Sequence, residues 1–142
     1  MTDIENKVFD TVCNAVQAAF PGTMMYSKDT EMSATYPAGT VVETDNVPVL
    51  QTSTDDNSEN HARLSYEINF YSDKQTGAKR ECRDLMKVAD TAMKSLKFRR
   101  IMARQLDNID RTLCRMYARY EVIVGEETLP NGDVRYNFYR RV

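Results

Sequence analysis

Apolar and polar residues alternate without a break from 62 to 71. Ala62, Leu64, Tyr66, Ile68 and Phe70 fall on one side, and Arg63, Ser65, Glu67, Asn69 and Tyr71 on the other. A period of two over this length predicts a strand with one face on a core and the other more polar. Beyond Gly77 the period becomes helical. Cys82, Leu85, Met86, Ala89, Ala92, Met93 and Leu96 make one stripe, while Lys79, Arg80, Arg83, Lys87 and Lys94 cover the opposite side. Thr76 is the expected cap of this helix, reached by a crossover through 73–78. A second amphipathic helix opens the chain, with Ile4, Val8, Val12 and Val16 four residues apart and Phe9, Cys13 and Phe20 widening the stripe. Thr2 or Asp3 can cap it, Asp3 and Glu5 suit the positive end of its dipole, and Pro21-Gly22 ends it.

The remaining segments read as strands and turns. Thr40-Val41-Val42-Glu43 is a short strand, entered at the Pro37-Ala38-Gly39 turn and left before Pro48. Residues 51–60 are wholly polar and form a loop. Phe98 to Gln105 and Thr112 to Val124 make one antiparallel hairpin around the turn Asn108-Ile109-Asp110. Its long second strand puts Cys114, Met116, Ala118, Tyr120, Val122 and Val124 on one face, and Arg115, Tyr117, Arg119 and Glu121 on the other. After the turn Pro130-Asn131-Gly132-Asp133, the residues Val134, Tyr136 and Phe138 alternate with Arg135, Asn137 and Tyr139. This terminal strand either closes the sheet edge or reaches to a neighbour. The expected fold is therefore α+β, a two-layer sandwich in which two amphipathic helices cover a mostly antiparallel sheet. It occupies 1–142 as a single domain, with 126–142 a terminal arm or added strand.

A chain of 142 residues has the length of one domain with a real core. No apolar run reaches the ~18 residues of a membrane span and the N-terminus lacks a signal-peptide plan, so a soluble protein made in the cytoplasm is expected. The odd, widely spaced Cys13, Cys82 and Cys114 fall on apolar faces, which suits buried reduced thiols. Charge divides the chain more than its net −2 suggests: residues 1–73 hold 3 Lys/Arg against 12 Asp/Glu, and residues 74–142 hold 16 against 9. Such a molecule can associate head to tail with its own copies, or simply carry one acidic and one basic solvated face.

Catalytic chemistry has little to build on. His61 is the only histidine and has no Cys near it in sequence, so it reads as a residue opening a strand. Asp55, Asp56 and Glu59 are bunched, but their spacing is not that of a calcium loop, and a solvated loop explains them better. No nucleophile lies beside a base, and the five glycines form no phosphate cradle. An enzyme is not expected, and no cofactor or metal is implied. Six arginines, Arg99, Arg100, Arg104, Arg111, Arg115 and Arg119, share the predicted hairpin, with Tyr117, Tyr120, Tyr136 and Tyr139 close in sequence. Basic and aromatic groups on a sheet suit nucleic acid. The pI of 5.5 and the interleaved Asp107, Asp110 and Glu121 favour cross-strand salt bridges or subunit contacts instead.

Element order and wording together resemble a known family. The carriers are the helix ending Phe20-Pro21-Gly22, the strand Thr40 to Glu43, the loop ending Asn57-Ser58-Glu59-Asn60-His61-Ala62, and the block Tyr66 to Ser72. The basic helix to Leu96, Phe98-Arg99-Arg100-Ile101-Met102 and Arg115-Met116-Tyr117-Ala118-Arg119-Tyr120-Glu121 complete them. Over residues 4 to 124 the chain resembles the small tail-completion (tail terminator, or neck) proteins of tailed phages and prophages of Gram-positive bacteria. The resemblance implies a structural virion protein assembled in the host cytoplasm. Such proteins form a homohexameric ring that ends the tail tube, offers a dock for the head-tail connector, and in contractile phages can contact the sheath. DNA would pass through its lumen without sequence-specific binding. Two alternatives stand beside it: a head-closure or adaptor component of the same neck, and a nucleic-acid-binding regulator. The residues expected at interfaces are Asp55, Asp56 and Glu59 in the loop, Arg99, Arg100, Arg104, Arg115 and Arg119 on the hairpin, and Tyr136, Phe138 and Tyr139 on the terminal strand.

Overall fold

The alternating run lies at the centre of the sheet. The computed structural model describes residues 1–28, 35–49, 61–106 and 113–139. Their order is α1 (Glu5–Ala19), β1 (Met24–Tyr26), β2 (Ala38–Pro48), β3 (His61–Ser72), α2 (Ala78–Ser95), β4 (Arg99–Leu106), β5 (Cys114–Thr128) and β6 (Val134–Tyr139). Two helices on one mostly antiparallel sheet of six strands make the expected α+β fold.

The strands run β1-β2-β3-β5-β4, and β6 pairs with β5. β4 takes Arg115 to Glu121 of β5 and β6 takes Ile123 to Thr128, while β3 pairs along Cys114 to Gly125. Two short strands thus share one long one in tandem. Past Gly125, the residues Glu126–Thr128 have β6 as their one strand partner among the described residues, so there the β5–β6 hairpin projects beyond the β3 pairing.

The apolar sides of β3 and β5 meet in register, Leu64 with Val122, Tyr66 with Tyr120 and Ile68 with Ala118, all fully buried. Above them α1 contributes Val8, Val12 and Val16, and α2 contributes Cys82, Leu85, Ala89 and Met93. Phe98 stands edge-on to Tyr66 at 5.4 Å between ring centres and to Phe138 at 6.4 Å. The terminal strand therefore closes onto its own domain as an added strand.

Several local expectations are corrected. β2 spans 11 residues and includes Pro48, because the length of β3 offers partners from Tyr71 to Ala62. Among the described residues β2 has no outer partner there, so the missing N–H of Pro48 costs no ladder bond. β1 is an unforeseen strand of three residues, too short for a periodicity, held by parallel pairing to Ala38–Thr40. The N-cap of α2 is Gly77 at φ 83°, not Thr76, and that of α1 is Ile4, with Asp3 accepting from the Glu5 N–H at 3.3 Å. Cys82 is buried as expected, whereas Cys13 and Cys114 are half-buried. The turn expected at Asn108-Ile109-Asp110 and the loop at 51–60 lie outside the described residues.

At its C-terminal end α2 closes with a Schellman pattern. Lys97 N–H donates to Lys94 O at 2.9 Å and Phe98 N–H to Met93 O at 3.1 Å, with Lys97 at φ 67°.

Candidate assembly interface

Both helices lie on one face of the sheet, and no described element covers the other, where Ser65 and Asn69 are buried by the side chains around them. Alternation puts Arg63, Ser65, Glu67, Asn69 and Tyr71 of β3 there beside Ile123, Glu121, Arg119, Tyr117 and Arg115 of β5. β4 adds Arg99, Met102 and Arg104, and β2 adds Val42, Asp45 and Val47. The strip is polar yet ordered by its own bonds. Tyr117 donates to Glu67 at 2.7 Å, and Arg115 donates to Asn69 at 2.9 Å while lying 5.7 Å from the Tyr71 ring. Arg119 reaches across β3 to Asp45 at 3.1 Å. Burial, the hydrogen bond to Glu67 and its charge hold the Tyr117 phenol above its ordinary value.

The expected arginines thus divide. Arg115 and Arg119 are tied into the sheet. Arg100 turns to the helix-covered face and pairs with Asp90 on α2 at 3.2 Å. Asp90 also accepts from Tyr120 at 2.7 Å and pairs with Lys94 at 2.9 Å. Arg99 and Arg104 are exposed and form no ion pair among the described residues, nor does Arg63. Around them Ile101 and Met102 are exposed apolar residues, 43% and 37% accessible, as is Val47 at 42%.

On the terminal strand, Tyr136 and Phe138 pack against the core, and Lys7 lies over the Phe138 ring at 5.1 Å. These two hold the arm in place. Tyr139 is exposed on the other face, 5.7 Å from the His61 ring. His61 in turn lies against Gly125, where an added Cβ would come within 2.9 Å of Nε2. Asp55, Asp56, Glu59 and Arg111 lie outside the described residues.

Burial suppresses thiol reactivity at Cys13 and Cys82. Burial, with Cys114 and Glu81 nearby, pushes the Cys82 thiol up to about 12, and burial raises Cys13 too. Thiolates are therefore disfavoured. Burial also raises the Tyr66 and Tyr120 phenols, whose hydroxyls donate to Glu43 and Asp90. Among the described residues no three His, Cys, Asp or Glu gather as a metal site, and no helix is long and apolar enough to cross a membrane.

Sequence reasoning missed two anchors. Asp90 borders the apolar stripe of α2, and its i+4 pairing with Lys94 was readable, but its bond to Tyr120 depends on packing. Thr2 is fully buried, donates to Glu126 at 2.9 Å and accepts through its carbonyl from Asn46 at 2.7 Å. No local pattern announces contacts across 124 residues of sequence.

The chain matches no family model, and no curated protein matches its sequence at a significant level.

Proposed function

We propose that the protein is a structural ring component of a phage tail, ending the tail tube at its head-proximal end and joining it to the head connector. The observation that carries this reading is the sheet face that no described helix covers, edged by arginines without an ion pair among the described residues and by exposed apolar side chains on a two-layer α+β domain. Such a surface suits protein partners: a polar rim, apolar points and arginines able to pair. The partners proposed are further copies of the chain in a homohexamer, the tail tube protein, the head-tail connector and, in a contractile tail, the sheath. DNA passes through the lumen without being held, in keeping with a mildly acidic chain. The location proposed is the neck of the virion.

The nucleic-acid reading loses support because Arg100, Arg115 and Arg119 are engaged within the chain. The adaptor reading differs only in the partner docked. Deleting the gene from its parent phage or prophage and examining particles by negative stain tests the proposal. Filled heads beside separate tails of irregular length are expected. Normal-length tails beside heads that leak DNA would move the protein to the head side of the neck. Intact joined particles would overturn both structural readings.

A further inference from the structure

Among the described residues the two lateral edges of the sheet are largely unpaired, and they carry opposite charge. β1 covers only Ala38–Thr40 of β2, so among the described residues Val41–Pro48 has no outer partner. That edge bears Glu43 and Asp45 and no base. On the far side β4 is the outermost strand, exposed almost throughout, and bears Arg99, Arg100 and Arg104 and no acid.

Register lines these charges up. One row crosses the sheet as Glu43, Tyr66, Tyr120, Arg100 on the helix-covered face. A second crosses as Asp45, Ser65, Glu121, Arg99 on the open face. Each row begins with an acid at one edge and ends with an arginine at the other. The helix layer repeats the division. Asp3 just before α1 and Glu5 in its first turn lie close enough to Glu43 to raise its pKa, after burial as the larger cause. On the other side Arg83 and Lys87 of α2 line a cleft of about 260 Å³ with Arg100 and Ala103 of β4, three bases against the single acid Asp90.

We infer that the Arg99–Ala103 half of β4 in one copy adds to the open Val41–Asp45 stretch of β2 in the next copy, with Arg104–Leu106 diverging from the β1 that covers Ala38–Thr40. Because β2, β3, β5 and β4 alternate in direction, a neighbour repeated sideways meets β4 antiparallel. With no stagger, Arg100 lies beside the neighbour's Glu43 and Arg99 beside its Asp45. A single sign on an edge discourages pairing with a like edge. Opposite signs on the two edges favour the unlike pairing, which is head to tail. Such heterologous contacts close into rings or grow as filaments. The closed ring rests on the proposed function; the edge pairing itself requires only two copies.

Charge exchange tests it. Arg99→Glu/Arg104→Glu makes both edges acidic, and Glu43→Lys/Asp45→Lys makes both basic. Neither arginine holds an ion pair among the described residues, but Arg99 stands opposite Glu121 in the ladder, so the first variant should fold and melt slightly below the wild type. Native mass spectrometry should show the wild type self-associating, each variant alone at least roughly tenfold weaker, and an equal mixture restored to alternating assemblies. Should the lysine variant misfold through loss of the Asp45–Arg119 pair, Glu43→Gln/Asp45→Asn replaces it and should still weaken association. Amide exchange across Arg99–Ala103 should slow on assembly. A monomeric wild type, a folded variant that assembles alone as the wild type does, or a folded mixture that fails to assemble would overturn the inference. Irregular tails on gene deletion, combined with unimpaired assembly of both variants, would remove the edge pairing and keep the tail role. Intact particles combined with charge-dependent assembly would do the reverse.

Discussion

Replacing Asp90 by alanine should destabilise the protein out of proportion to the size of the side chain. The carboxylate is 13% exposed and serves Tyr120, Lys94 and Arg100 at 2.7, 2.9 and 3.2 Å. Tyr120 is fully buried, so its hydroxyl would be left without this partner, at a cost of ~1–3 kcal/mol. Lys94 and Arg100 are about half exposed and return to water for ~0.3–0.5 kcal/mol each. Alanine is the better helix former by ~0.6 kcal/mol, which offsets part of the loss. The net cost is about 2 kcal/mol, or roughly 6 °C in Tm for a chain of this length. Urea unfolding with an unchanged slope measures it. In a Tyr120→Phe background the same substitution should cost ~1–2 kcal/mol less, because no buried hydroxyl is stranded. A cost below ~0.5 kcal/mol, or strict additivity of the two changes, would refute the reasoning.

The acid limb carries a second signature of the same group. Burial alone would raise the Asp90 pKa, but hydrogen bonds from Lys94 and Tyr120, with the Arg100 and Lys94 charges, outweigh it and lower the value. Its contribution is therefore complete above the ordinary carboxylate range and fades as pH falls through that range toward the lowered value. Asp90→Asn should lose less stability over that interval than the wild type.

Other outcomes follow from single contacts. Gly39→Ala would bring a Cβ to 2.6 Å from the buried Phe70 ring, so thermal melts should show a loss of about 1–3 kcal/mol; an unchanged Tm would contradict the close approach. Lys97→Gly should stabilise by about 0.5–1 kcal/mol by relieving φ 67° at the end of α2, and a destabilised variant would exclude that strain. Under mildly alkaline native conditions iodoacetamide should label Cys13 and spare Cys82, as read by peptide mass spectrometry; rapid labelling of Cys82 would disprove its burial. Glu43 has its pKa raised by burial first and then by Glu5 and Asp3, against the opposing bonds of Tyr66 and Asn46. The folded chain therefore loses stability as pH rises through the ordinary range to the raised value, and Glu43→Gln should melt higher than wild type at neutral pH but equally in acid.

The strongly periodic elements were legible because each has one buried face. Residues 62–71, the α2 stripe and Cys114 to Val124 all occupy the sides their spacing announces. What escaped prediction depended on partners distant in sequence. β2 is long because β3 is long; its own residues past Glu43 show little preference for a strand. Tyr136 and Phe138 alternate as any half-buried pair would, and only the neighbouring Phe98 and Lys7 make them anchors. Among the six arginines, sequence gave no ground for separating Arg99 and Arg104 from those engaged within the chain. That division follows from which acid or amide stands opposite in the register.

The β5–β6 hairpin has a mechanical consequence. Its base is clamped by Phe138 against Phe98 and by the Thr2–Glu126 bond. Its three outer residues of β5 reach ~10 Å past the last β3 pairing before the turn. A ribbon of two strands is barely self-supporting, so stiffness falls steadily from a firm root to a compliant tip. The protein thus presents a rigid block with a soft finger, able to follow a neighbouring surface whose spacing differs from its own without straining the body that carries it.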